Sequence, residues 1–196
     1  MTTKRSLEQR RYGSNETLPE RRTLRAGPLT AELEYADLRY VKIGDIEIVR
    51  RLYVAVRDRN WGTVEPVFTK FEVDDRGDSF RIDIEAEHVD AESGVDFAWS
   101  GVIEGTPEGT IRYEMDGSPR AAFFKNRIGF CVLHPSELAG APAWTDTPDG
   151  RVESVFPELI APHQPFLDME SITHAAGANT TAEIRFEGDL FEMEDQ

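Results

Sequence analysis

Two glutamates close to the end of the sequence, Glu192 and Glu194 in FEGDLFEMEDQ, have the spacing of side chains on one face of a strand. Residues two apart on a strand point the same way, with Cα atoms about 6.6 Å apart. Glycosidases use two carboxyl groups at a comparable separation. Those carboxyls flank the bond that is broken, whereas these two would lie side by side and repel each other. The pattern therefore favours a solvated acidic face at a sheet edge, with Phe191 and Met193 buried behind it.

The histidine spacing does not indicate a metal site. No two histidines have the short spacing of a motif such as HxxxH, and the sequence therefore predicts no bound metal. His163 is next to Gln164 in the loop sequence APHQP, where the two could hydrogen-bond a polyol or supply a general base near pH 7. His134 ends an apolar run, and His88 and His174 have no polar company in the sequence. A structural role is favoured for the histidines.

Two polar stretches, RDRNWGT and NRIGF, place charged, amide and aromatic residues at the ends of predicted strands. Arg57, Asp58, Trp61 and Arg127 could form a sugar-recognition surface, in which the indole stacks on a sugar and the guanidinium donates two hydrogen bonds. An internal Arg–Asp pair and a core tryptophan would have the same pattern. The sequence leaves both interpretations open.

The single cysteine, Cys131, is flanked by Phe130 and Val132. A catalytic thiol needs exposure and a base that lowers its pKa, so this context favours a small buried core residue. No serine lies in a GxSxG motif, and a serine esterase of the α/β type has no support.

Charge is unevenly distributed along the 196 residues. The whole chain has a net charge of −15, yet its first 25 residues hold seven basic and three acidic side chains. A body this acidic repels phosphate backbones, which argues against nucleic acid as a partner. No apolar run reaches the roughly 18 residues of a membrane helix, and no secretory signal is recognisable. We therefore predict a soluble cytoplasmic protein with a flexible basic tail over residues 1–26.

Most of the chain after Ala26 has the two-residue period of β-strands. In the stretch 80–87, Phe80, Ile82 and Ile84 alternate with charged residues, which is typical of a strand with one buried face. Strands at this spacing predict an all-β fold, a twisted antiparallel β-sandwich of the supersandwich kind with minimal helix, over residues 27–196. The predicted strands are 29–36, 38–43, 46–57, 71–73, 80–87, 95–105, 110–117 and 128–134.

The last of these strands differs from the others because its middle is continuously apolar. The run IGFCVLH at 128–134 predicts a central strand with both faces covered. Two long loops are predicted at 135–151 and 156–166, where binding residues tend to lie. Helical turns are predicted only at 135–140 and 166–172.

Five motifs together resemble the N-terminal part of the bacterial D-apionate lactonase family. They are LRAGPLTAEL, VRDRNWGTVEP, NRIGFCVLHP, VFPELIAPHQPF and FEGDLFEMEDQ, and they occur in order from about Arg25 to the last residue. The resemblance implies that a β-sandwich precedes a barrel-type catalytic region. We therefore expect the polypeptide to continue past Gln196 and the 196 residues to be inactive alone.

The family reaction implied by the resemblance is hydrolysis of D-apionolactone to D-apionate, without a cofactor. Of this part of the enzyme, Glu194 or Asp195 would be the candidate base. Other candidates would hold the sugar or steady the interface to the barrel: Arg57, Asp58, Trp61, Arg127, His134, His163, Gln164 and Glu192. The alternative is a stand-alone carbohydrate-binding or glycosidase accessory sandwich.

Overall fold

The computed structural model describes residues 6–13, 15, 17–159, 161 and 164–194. Within this part of the chain, a short helix, α1 (Leu7–Tyr12), and a 3₁₀ turn at Ser136–Leu138 accompany a set of antiparallel strands. In chain order the strands are β1 (Arg21–Ala26), β2 (Leu29–Glu34), β3 (Asp37–Ile43), β4 (Ile46–Asp58), β5 (Val67–Asp75), β6 (Phe80–Asp90), β7 (Val95–Gly105), β8 (Ile111–Pro119), β9 (Lys125–Leu133), β10 (Pro142–Thr147), β11 (Gly150–Val155), β12 (Ser171–Ala175) and β13 (Thr181–Arg185).

Two of the sheets pack face to face as a sandwich, which confirms the predicted all-β class. The five-stranded sheet has the order β1-β2-β3-β4-β9, and the four-stranded sheet is the meander β5-β6-β7-β8. The whole meander is therefore inserted in the sequence between the neighbouring strands β4 and β9. The main hydrophobic core draws fully buried side chains from both sheets, among them Leu24, Leu38, Val56, Ile82, Ile84 and Ile103.

Strand β6 shows why the alternating pattern produces this arrangement. Phe80, Ile82 and Ile84 are each 2% exposed or less and face the other sheet. The side chain between two of them, Arg81, lies on the outer face, where it forms an ion pair with Asp83 at 2.9 Å. The strand thus buries one face and solvates the other, as its sequence predicts.

A third, smaller sheet has the order β11-β10-β12-β13 and its own core around Phe156, Phe166 and Ile172. Ile184 of β13 packs against both this core and the main one. This sheet corrects two predictions. Residues 135–151 are not one long loop, because β10 and the start of β11 lie within them and TPDG forms the turn of the β10–β11 hairpin. The helical turn predicted at 166–172 is absent, and β12 begins there instead.

The sheet begins earlier than the predicted boundary of the basic tail. Strand β1 pairs with β2 from Arg21 to Ala26, and Leu24 and Ala26 are each 1% exposed. Residues 21–26 therefore belong to the sandwich. Before them, α1 starts with a capping box in which Ser6 and Gln9 hydrogen-bond to each other's backbone N–H groups.

The prediction of a central position for residues 128–134 is wrong. Strand β9 pairs with β4, and it ends the five-stranded sheet. Its inner face contacts the meander, where Phe130 and Tyr113 have ring centroids 4.9 Å apart. No β9 side chain is fully buried; Cys131, predicted to lie in the core, is half-buried.

Candidate functional site

Arg127 gathers three other residues that the sequence singles out. Its Nη2 lies 2.9 Å from Oε1 of Glu194, and the same nitrogen forms an ion pair with Glu192. Its guanidinium carbon lies 5.7 Å from the centre of the Trp61 ring, within the range of a cation–π contact. The structure therefore places Trp61, Arg127, Glu192 and Glu194 in one cluster, which we call the Arg127 cluster.

A tight turn after β4 positions the tryptophan of this cluster. Oδ1 of Asp58 accepts hydrogen bonds from the backbone N–H groups of Asn60 at 2.7 Å and Gly62 at 2.8 Å. Trp61 lies inside this turn with a φ of 68° and is 49% exposed. A tryptophan at positive φ is strained, and such strain is common at functional sites. The interpretation of Trp61 as a core residue is therefore wrong.

Arg57 and Asp58 do not form the internal ion pair that one of the two interpretations of the sequence requires. Nη1 of Arg57 donates to Oγ1 of Thr63 at 2.7 Å, across an isolated bridge between the two backbones. Asp58 instead holds the turn that carries Trp61. Both residues therefore shape the turn beside the Arg127 cluster.

The two glutamates share one guanidinium and so lie on the same side, although the predicted strand is absent at 192–194 and only Phe191 forms an isolated bridge. The hydrogen bond that Arg127 donates to Glu192 is the main cause that raises the pKa of Arg127, opposed by partial burial, so the guanidinium stays charged. Behind the glutamates, Phe191 stacks on Phe186 at 4.3 Å between ring centroids. Met193 donates its backbone N–H to the carbonyl of Phe166 at 3.0 Å. The ion pairs therefore fasten the segment 191–194 to β9, although exposed pairs of this kind contribute little stability.

A second group of predicted residues lies where β9 meets the small sheet. The rings of His134 and His174 have centroids 6.0 Å apart, and both rings contact Phe156. Nδ1 of His134 and Nε2 of His174 are buried without a hydrogen-bond partner among the described residues. Burial, with a smaller effect of His174, lowers the pKa of His134 to about 4. Sequence spacing could not reveal this pair, because the two histidines are far apart along the chain.

His88 has polar partners, contrary to the impression from the sequence. Its Nε2 accepts the indole N–H of Trp99 at 2.9 Å, which places the proton on Nδ1, and Nδ1 donates to the carbonyl of Val64 at 2.7 Å. Burial lowers the pKa of His88. Its role is structural, as predicted for the histidines.

Three further predicted positions are Gln164, His163 and Asp195. Gln164 is exposed, and His163 and Asp195 lie outside the described residues.

Cys131 lies opposite Tyr53 in the sheet register, and burial, followed by the neighbouring thiol, raises the pKa of that tyrosine. Nothing in this arrangement supplies the base that a catalytic thiol needs.

The free side of β9 opens into a long groove. Its walls are β9 itself, the neighbouring residues Arg50, Tyr53 and Ala55 of β4, Trp61, residues 156–159 and the segment that ends in Glu194. The groove encloses about 1550 Å³, more than the roughly 300–1,000 Å³ of a typical small-ligand pocket. Its size and openness suit a polypeptide better than one small sugar.

Two kinds of feature are absent from the part of the chain that the structure describes. Among those residues, no group of three or more His, Cys, Asp or Glu side chains could hold a metal ion. No helix found there has both the length and the apolar character needed to cross a bilayer.

Comparison with known proteins gives a family match. The profile described as "D-apionate lactonase, N-terminal domain" matches residues 9–196. The chain is 36% identical over 187 residues to a D-apionate lactonase of Brucella anthropi, an alignment that covers 94% of the chain and 30% of the relative. The chain thus spans less than a third of the length of the curated relative that it matches. No solved structure is significantly similar.

Proposed function

The chain belongs to the family of D-apionate lactonase N-terminal domains, and from this premise we propose that it is the N-terminal β-sandwich of a carbohydrate lactonase. The reaction proposed for the whole enzyme is the hydrolysis of D-apionolactone to D-apionate. Water attacks the lactone carbonyl, the ring C–O bond breaks, and a general base and acid move the protons. The 30% share of the relative that the chain covers supports a division in which most catalytic groups lie outside these residues.

One observation supports the proposal that this domain assists the catalytic region and does not itself supply the catalytic carboxyl pair. Glu192 and Glu194 both bind the guanidinium of Arg127, and so they are occupied in fastening the segment 191–194 to β9. The two catalytic carboxyl groups of a retaining or inverting glycosidase would instead flank the substrate bond that is broken from two sides. Glu194 and Asp195 remain candidates for the base, with Glu194 more suited to positioning than to proton transfer.

The direct test compares two polypeptides in a D-apionolactone hydrolysis assay. Residues 1–196 alone are expected to show no turnover above the uncatalysed rate. The same residues continued by the remaining part of the Brucella anthropi relative are expected to hydrolyse the lactone. Turnover by residues 1–196 alone, at a rate comparable to that of the longer polypeptide, would refute the supporting role.

The role of Glu194 is tested in the longer polypeptide by Glu194→Gln. Loss of a general base typically costs about 10²–10⁴-fold in kcat. Loss of a positioning contact should leave kcat within a few-fold, and we expect this smaller effect. Glu153→Gln, an exposed glutamate on β11, is the matched control.

A second candidate function is the binding of a saccharide without chemistry. It is favoured by Trp61, which is half-exposed beside Arg127 in a turn held by Asp58. Titration calorimetry of residues 1–196 with D-apionate and with D-apiose tests it, and the Trp61→Ala variant provides the control. Binding that disappears in this variant would support the second function, and no heat in either titration would exclude it at the concentrations used.

A further inference from the structure

The strands that end a sheet differ in how they discourage pairing with another chain. Natural proteins protect such edges with charged side chains, proline or irregular backbone. Among the described strands, β1, β5, β8, β11 and β13 each carry a charged residue within every three or four positions or close with proline. Their sequences are RRTLRA, VFTKFEVDD, IRYEMDGSP, GRVESV and TAEIR.

Strand β9 lacks this protection over most of its length. After Lys125 and Arg127, the six residues from Ile128 to Leu133 contain no charge and no proline. This run is most of the stretch 128–134, whose predicted central position is wrong for the domain taken by itself. A strand with the composition of a sheet interior therefore occupies an edge.

The outer side of β9 is also open in the structure. In the described residues, no backbone hydrogen bond joins this side of the strand to another segment. The outer face of the sheet is open as well, since a Cβ added at Gly129 would meet no atom within 4 Å. Apolar side chains stand exposed around the same groove: Leu133 is 44% exposed, Leu159 84% and Leu190 46%. An edge with free backbone groups and apolar surroundings is suited to the addition of a strand.

We propose that an extended apolar segment of the polypeptide following this domain in the lactonase pairs with β9 and covers the groove. The inference rests on the proposed function. The five-stranded sheet then gains a sixth strand, and Ile128–Leu133 becomes the central strand that its composition indicates.

The position of the segment 191–194 identifies the occupant. Arg127 of β9 binds Glu192 and Glu194, and Glu194 lies in the groove itself. Under the proposed function, the polypeptide that follows this domain in the lactonase continues from the segment 191–194 and so starts near β9. A tethered segment has a high effective concentration at a site so close to its attachment point. A second copy of the chain has no such advantage.

The test is hydrogen exchange of the amides in 128–133. It compares residues 1–196 alone with the same residues continued by the remaining part of the Brucella anthropi relative. Because an edge strand bonds alternate amides only, the number of slowly exchanging amides should roughly double in the longer polypeptide. The β11 segment 150–155 is the control edge and should not change. The intact relative is measured in parallel at the segment aligned with β9, so that a poorly folded hybrid does not decide the outcome.

Substitution gives an independent measurement. Leu133→Lys should lower the melting temperature of the longer polypeptide but not that of residues 1–196. The control is Val152→Lys, at a similarly exposed position on β11, which should change the melting temperatures of the two polypeptides equally. Fast exchange of the aligned segment in the intact relative would overturn the proposal. So would protection of 128–133 in residues 1–196 that rises with protein concentration, because a second copy would then be the occupant. Exchange is measured without turnover, so failure of this proposal is separate from failure of the lactonase assay.

Discussion

The indole of Trp99 donates a hydrogen bond to Nε2 of His88 at 2.9 Å, across neighbouring strands of the meander. His88 is 1% exposed and Trp99 5%. Because Nδ1 of the same ring donates to the carbonyl of Val64, both nitrogens are used and the imidazole is held neutral. The contact links the middle of the four-stranded sheet to the turn that follows β4.

Replacing this histidine should destabilise the domain. His88→Leu leaves the indole N–H and the Val64 carbonyl buried without partners, and each such loss costs about 1–3 kcal/mol. We expect the free energy of unfolding to fall by about 2–4 kcal/mol in urea denaturation. Val89→Leu, at the adjacent position with 62% exposure, is the control and should change little. A His88→Leu variant as stable as the wild type would show that the hydrogen bonds contribute nothing.

The stability of the domain should depend on the protonation of His134. Its pKa is about 4 in the folded protein and about 6.5 in an unfolded chain. As the pH falls below 6.5 the unfolded chain binds the proton first, so the stabilisation is complete above 6.5 and is lost progressively down to about 4. The loss is at most about 1.4 kcal/mol per pH unit.

His134→Phe removes this titration and keeps an aromatic ring against Phe156. Denaturation between pH 7 and pH 4.5 should therefore show a shallower fall in the variant than in the wild type. The buried His88 is present in both proteins, so the quantity compared is the slope of the free energy of unfolding against pH in the variant and in the wild type. Equal slopes would mean that His134 is solvated in the folded protein.

Arg127→Ala should release the segment 191–194 without unfolding the sandwich. The pairs are exposed, so the global stability should change by less than about 1 kcal/mol. The backbone N–H groups of Phe191 and Met193, which bond to Met169 and Phe166, should exchange faster by at least several-fold. Arg81→Ala also removes a guanidinium with two acidic partners but lies in the meander, and it should leave these two amides unchanged.

Gly105→Ala should destabilise the core at the end of β7. An added Cβ would lie 2.2 Å from the ring of Phe80, which is 2% exposed and has little room to move. Overpacking of this kind typically costs about 1–3 kcal/mol, and thermal unfolding measures it. Ser100→Ala, at an exposed position on the same strand, is the control. An unchanged melting temperature would indicate that the Phe80 ring can shift freely.

The two-residue period of apolar side chains and the residue types at the turns were enough to predict the sandwich. Strands such as β6 and β7 alternate apolar and polar residues throughout, and the structure matches their predicted positions closely. The β10–β11 hairpin was missed because proline and threonine in APAWTDTPDG resemble a loop, although Asp149-Gly150 is a hairpin signal. Local patterns describe single strands and do not contain the order in which strands pair.

Prediction of the site was partial for a related reason. The same-side placement of Glu192 and Glu194 follows from spacing, but their partner Arg127 is 65 positions away from Glu192 and could be found only in three dimensions. The contact between His134 and His174 is likewise non-local. Composition alone predicts a central, covered β9, whereas the structure places this strand at the end of the five-stranded sheet.

Insertion of the meander between β4 and β9 has a consequence for the order of folding. The hairpins of β5–β8 join strands adjacent in sequence and can form as soon as they are synthesised, whereas Tyr53 must wait for Cys131 before β4 acquires its neighbour. During that interval the long strand β4 has one open side on a nascent chain. The period in which this domain is most vulnerable to misassembly therefore falls before the ribosome has released β9.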